Sequence, residues 1–258
     1  MSSGGVDVNQ TISGIFATRQ FETHTTWRWW TSMVVGIGIY LATTAVIVVV
    51  VVVAILGTVS PEQIESGEIP ALPSGVTVAA SLLSQALSLI LVLVFTRKGG
   101  ARWIDRLHLQ SYLPSTSHLI AFAGTAAAVI AMSFLWSNLF PEADAVDSSW
   151  AKDILADSHV RPAALALILL AAPLSEELLF RGFMLPPLTR TRLGFSGAAI
   201  VTSLIWSAVH FYSLPGSAVI FLLGLALSYM LWRTGSLWPG IFLHVILNGV
   251  FAATVLLA

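Results

Sequence analysis

At 258 residues, the chain is 56% hydrophobic and only 10% charged, whereas a soluble globular domain carries about 25% charged residues; this composition excludes an ordinary water-soluble fold and indicates a polytopic membrane protein. The formal net charge of -1 gives no basic excess for a nucleic-acid partner, and the total matters less than its distribution, because insertion responds to charge loop by loop. There is no cysteine, which excludes disulfides, thiolate metal ligands and a cysteine nucleophile.

The chain starts with a polar segment, residues 1–29, that lacks the short apolar core and small-residue cleavage site of a secretory signal; it is expected to remain as a cytoplasmic tail. Residues 30–258 form one all-α transmembrane domain. Runs of about 20 apolar residues, enough for a helix to cross the hydrocarbon layer, predict seven spans: Trp30–Leu56, Val76–Thr96, His118–Phe140, Ala163–Leu185, Ser196–Tyr212, Gly216–Trp232 and Leu237–Leu257. The run Val48–Val53 would favour a strand in water, but in lipid the backbone must satisfy its own hydrogen bonds and helix is expected.

Arginine and lysine concentrate in alternate loops, with only Lys152 and Arg161 in the others. Arg19 and Arg28 precede the first span, Arg97, Lys98, Arg102 and Arg106 follow the second, Arg190 and Arg192 the fourth, and Arg233 the sixth. The other loops carry Glu62, Glu65 and Glu68, then Glu142, Asp144, Asp147, Asp153 and Asp157. By the positive-inside rule this predicts a cytoplasmic N-terminus. Trp27, Trp29, Trp30, Trp103, Trp136, Trp232 and Trp238 lie near span ends, as interfacial aromatics do.

The fourth span carries two adjacent acids, Glu176 and Glu177, with Arg181 four residues on. Ionisable groups at membrane depth cost at least ~2.5–3.5 kcal/mol each and mark function or a partner. Pro173 has no N–H for the carbonyl of Leu169 and should bend the helix ahead of the acids. Adjacent helical residues point about 100° apart, so the two glutamates serve different faces. Glu177 and Arg181 are spaced to pair, either as a clamp or as part of a site, which leaves Glu176 free to act as a general base in an apolar pocket.

His210 lies four residues after Trp206, and His244 and Asn248 share one helical face. His210 reads either as a hydrogen-bonded residue near a span end or as a partner of the acid. His244 and Asn248 read either as polar glue between helices or as donors into a pocket. Counted from the inner span ends at 1.5 Å per residue, Glu176 lies about 13 Å deep, His244 about 10 Å and His210 about 21 Å; His210 comes out too deep unless its helix starts below the surface or tilts.

At these residues the chain resembles the CPBP intramembrane protease family, also called the type II CAAX prenyl protease or Abi family. Glu176-Glu177-Leu178-Leu179-Phe180-Arg181 matches its Glu-Glu-x-x-x-Arg motif. Trp206 to His210 matches Phe-x-x-x-His with Trp for Phe, and His244-Val245-Ile246-Leu247-Asn248 matches His-x-x-x-Asn. The resemblance covers about residues 163–258. It implies an intramembrane endopeptidase in which Glu176 and His210 activate water, His244 and Asn248 stabilise the oxyanion, and Glu177 and Arg181 support the helix. Trp206 in place of Phe is expected to alter packing around His210 more than its chemistry.

The implied partners are a membrane-associated protein or peptide substrate and the lipid bilayer, and the implied location is a bacterial plasma membrane. No cofactor is expected. Zinc on Glu176, His210 and His244 is the alternative, although no His-Glu-x-x-His motif is present. Two rival readings remain: a non-catalytic scaffold or bacteriocin-immunity protein using the same fold, and a proton-coupled carrier, since intramembrane Glu, Arg and His also line ion paths.

Overall fold

Without water to bond to, a chain in lipid closes its hydrogen bonds within each segment, and the described residues are helical accordingly. The structure, a computed structural model, describes residues 23–60, 62, 66, 72–97, 102–140 and 149–257. Most of the expected tail, including Arg19, lies outside them, as do Lys98 and the acidic residues Glu65, Glu68, Glu142, Asp144 and Asp147.

In chain order the helices are α1 (Trp29–Thr58), α2 (Ser74–Thr96), the single turn α3 (Trp103–Arg106), α4 (Thr116–Leu139), the short α5 (Ser149–Ala156), α6 (Arg161–Thr189), α7 (Gly194–Ala208), α8 (Leu214–Thr234) and α9 (Trp238–Leu257). Among the described residues no strand forms. The valines Val48, Val49, Val52 and Val53 sit exposed on helical α1, so the need for internal backbone bonding overrides β-propensity.

Six of these helices are long and apolar enough to cross a membrane, rather than the seven expected. The exception is α7, whose 15 residues stop at Ala208 instead of continuing to Tyr212. His210 therefore lies in the turn beyond the helix end. A further short helix, α5, has no counterpart among the sequence-predicted spans. It packs Ala151, Ile154 and Leu155 against Ala164 and Ile168 of α6, Val78 of α2 and Ala252 of α9.

Half of the apolar window of α6 is buried, against 6–39% for the other spans, so α6 is the central rod of the bundle. It packs against α1, α2, α5, α7 and α9, while α8 bridges α4, α7 and α9. The main core joins Leu178, Phe180, Phe183 and Met184 of α6 to Trp206, Leu227, Met230 and Leu243.

Two turns of α6 are wider than α-helical: Leu167–Ala171 and Glu177–Met184 are π-helix. Each wide turn ends one residue short of a proline. The N–H of Ala172, just before Pro173, donates to Leu167 O, and that of Leu185, just before Pro186, donates to Phe180 O. A proline ring clashes with the carbonyl four residues back, and widening the turn moves that carbonyl away. The acids thus sit where the α-helical ladder is already interrupted, a placement common at functional sites.

The depth mismatch expected for His210 has two structural causes. Because α6 continues to Thr189, Glu176 lies at most about 20 Å from that end, close to the about 21 Å from Gly194 to Ala208, where α7 ends two residues before His210. In addition, α9 starts inside the bundle rather than at its rim. The N–H of Leu237 donates to His108 O at 2.9 Å and Trp238 Nε1–H to Leu109 O at 3.2 Å, so residues 107–109 lie over the α8–α9 turn. Gly235, at φ +68°, ends α8 there in the left-handed region that glycine adopts without strain.

His108 in that covering turn is 2% exposed. Burial first, and the neighbouring His24 second, push its pKa down to about 4. Below pH 6.5 the unfolded chain takes up a proton that the folded one refuses, so stability falls as pH drops from 6.5 to 4 and the loss is complete below that. A shift of this size corresponds to about 3 kcal/mol. Urea unfolding in detergent at pH 7 and pH 4.5 should show a weaker fold at the lower pH, and His108→Gln should flatten that dependence.

Candidate functional site

The site is built from α6, α7 and α9. On α6 the two acids diverge as their spacing requires. Glu177 and Arg181 are completely buried and pair with each other. Glu176 is partly buried and turns to α7.

Glu177 Oε1 accepts from Arg181 Nη1 at 2.9 Å and lies 3.2 Å from His244 Nδ1. A carboxylate oxygen only accepts, so His244 Nδ1 carries a proton directed at Glu177, leaving Nε2 to face elsewhere. Arg181 also donates from Nη2 to Gly224 O at 3.2 Å, and its Cζ lies 4.4 Å from the centre of the Trp206 ring. A Cβ at Gly224 would stand 2.8 Å from the Ser203 side chain and 3.0 Å from Arg181 Nη2. The absence of that atom lets α8 approach the guanidinium closely enough for the carbonyl contact. Glu177 Oε2 is buried without a hydrogen-bond partner among the described residues and lies close to Gly240 of α9.

Glu176 Oε2 accepts from the Trp206 indole Nε1–H at 2.8 Å. This contact adds to the expected change of packing around His210, because phenylalanine has no donor to offer a carboxylate. His210 reaches the same residue from the other side, with Nδ1 2.6 Å from Trp206 O. A carbonyl only accepts, so Nδ1 bears the proton and Nε2 of neutral His210 keeps its lone pair. The imidazole packs edge-on to the Trp206 ring at 5.1 Å, and His244 does so at 5.4 Å. Trp206 thus lies among Glu176, Arg181, His210 and His244.

Asn248 is placed differently. Its Nδ2 donates to Ile168 O at 2.9 Å, and no hydrogen bond joins it to Glu176 or His210. In the wide turn before Pro173, Ala172 N–H goes to Leu167 O, and the next nitrogen, that of Pro173, has no hydrogen. The carbonyl left open is therefore that of Ile168 rather than Leu169 as an α-helical count expects, and the Asn248 amide fills the gap. Its second N–H stays available.

Sequence reasoning missed two other residues. Tyr40 of α1 donates to Val209 O at 2.9 Å, tying the first span to the turn that holds His210. Ser175, beside Glu176 and 1% exposed, hydrogen-bonds Gln85 of α2. A tyrosine and a glutamine inside apolar spans were the available signals, but neither belongs to a spaced motif. Among the described residues, no three His, Asp or Glu side chains are grouped so as to hold a metal ion.

Residues 159–250 match the family described as Rce1-like, type II CAAX prenyl endopeptidase. The match runs from just before α6 into α9 and spans all six candidate residues, as well as Trp206. No curated protein and no solved structure matches the chain.

Proposed function

We propose that this chain, whose residues 159–250 match the Rce1-like family of type II CAAX prenyl endopeptidases, is an intramembrane endopeptidase that hydrolyses a peptide bond of a membrane-associated protein or peptide. The observation that carries the reading is the meeting of Glu176 and His210 at Trp206 while Glu177 holds Arg181 and His244 on the adjoining face.

In this mechanism Glu176 uses Oε1, the oxygen not engaged by Trp206, as general base. It takes a proton from water as the water oxygen attacks the substrate carbonyl carbon, and His210 Nε2 accepts the other hydrogen of that water and orients it. The tetrahedral oxyanion is met by His244 and Asn248. His244 Nδ1–H is committed to Glu177, so donation to the oxyanion comes from Nε2–H when the ring carries both protons. Asn248 contributes its second amide hydrogen. Glu176 then returns the proton to the leaving nitrogen and the C–N bond breaks. Donors aimed in advance at the developing charge are worth on the order of 10²–10³ in rate each. The chemistry is proposed to run without a cofactor.

The test is cleavage of candidate membrane peptides, prenylated and not, by purified protein in detergent or liposomes. Wild type is expected to cleave, and Glu176→Ala and His244→Ala are expected not to. Cleavage by both variants at the wild-type rate would remove the site from the chemistry.

A further inference from the structure

We infer that Trp206 is the positioning residue of this centre, with its indole N–H selecting which oxygen of Glu176 faces the reacting water. The inference rests on the hydrolytic reading of Glu176 and adds a donor that the family pattern, with phenylalanine at this place, does not contain.

The Trp206 side chain is 1% exposed. Indole nitrogen only donates, and a buried donor needs an acceptor; the acceptor here is Glu176 Oε2, 30 residues away in the chain and 2.8 Å away in space. A hydrogen bond to a carboxylate is charge-assisted and stronger than a neutral one. A free glutamate side chain samples many rotamers, and confining it has an entropic cost. Trp206 meets part of that cost before substrate arrives. With Oε2 held, Oε1, which accepts no hydrogen bond from the described residues, is the oxygen left to take a proton.

The same residue acts on the second base through its main chain. Its carbonyl accepts Nδ1–H of His210 at 2.6 Å, which sets the tautomer with a lone pair on Nε2. Its ring faces the Arg181 guanidinium at 4.4 Å and receives the His210 and His244 rings edge-on. Side-chain packing alone would be served by any aromatic of similar shape, whereas the contact with Glu176 requires the N–H.

The experiment separates donor from shape. Trp206 is replaced in the full chain by 3-benzothienylalanine, which keeps the bicyclic outline with sulfur in place of N–H, and by 7-azatryptophan, which keeps the N–H. Rate constants are measured on a cleaved membrane peptide, and the carboxylate stretch of Glu176 is isolated by infrared difference against Glu176→Gln. The benzothienyl variant should lose ~10–100-fold in kcat, the value of one hydrogen bond to a charged group, with KM unchanged and the carboxylate band displaced. The azatryptophan variant should stay near wild type in all three. Wild-type kcat in the benzothienyl variant, or equal losses in both variants, would overturn the inference. Full activity of Glu176→Gln would instead sink the hydrolytic reading itself, while the band displacement would still report the indole contact.

Discussion

Replacing Glu176 by glutamine should cut kcat by about 10²–10⁴-fold, the contribution of a positioned general base, with little change in KM. Glutamine is the informative substitution because its amide oxygen can still accept from Trp206 Nε1–H, the contact observed at 2.8 Å. The variant therefore keeps the α6–α7 link and loses only the capacity to take a proton. Loss of kcat at constant KM marks an interaction made in the transition state rather than in substrate binding. Thermal unfolding in detergent close to wild type would establish that the lost turnover is chemical. Turnover within a factor of a few of wild type would show that Glu176 is not the base.

The second large effect is on stability. Arg181→Met should destabilise the fold by about 3–5 kcal/mol, because it leaves the wholly buried Glu177 without its closest countercharge. His244 remains beside Glu177 Oε1 at 3.2 Å, but it compensates only when protonated. The double variant Glu177→Gln with Arg181→Met should recover much of the loss, since replacing a buried pair with neutral groups of similar volume is far less costly than breaking it. Chemical unfolding of the two single variants and the double variant measures this coupling. Strict additivity would mean that the pair does not act as a unit. The activity of the double variant adds a separate readout: with no carboxylate at 177, His244 Nδ1–H meets a neutral amide oxygen in place of a charged one, and turnover should fall even where the fold is restored.

The membrane class and the all-helical architecture followed from composition alone, because a chain with so few charges must hide its backbone polarity in local hydrogen bonds. Helix positions were readable for the same reason, and α2, α4, α8 and α9 begin and end within a few residues of the expected spans. Helix length at the site was not. Apolar residues continue past Ala208, but the helix stops there, and hydropathy cannot distinguish a helical residue from an apolar one in a turn held by tertiary bonds. Here the turn is held by Tyr40, whose hydroxyl binds Val209 O, and a contact across 169 positions leaves no periodic signal.

The motif residues show the same division. Helical spacing alone was enough to pair Glu177 with Arg181 and to turn Glu176 away, since both follow from angles along one rod. The neighbours that receive those side chains lie on other rods. Trp206 entered as a packing substitution, and only the approach of α7 to α6 shows its indole N–H on the carboxylate. Asn248 is a single hydrogen-bonding side chain on α9 until the π-turn before Pro173 identifies the Ile168 carbonyl as its acceptor.

The amino-acid sequence by itself determined that this is a multi-span helical membrane protein, and which polar side chains it carries into the apolar layer. Tertiary structure alone decided which of those side chains touch, at what depth α9 begins and where the ladder of α6 widens. The physical reason is range: hydropathy and helical periodicity act within one segment, whereas hydrogen-bond partners are chosen between segments, by packing.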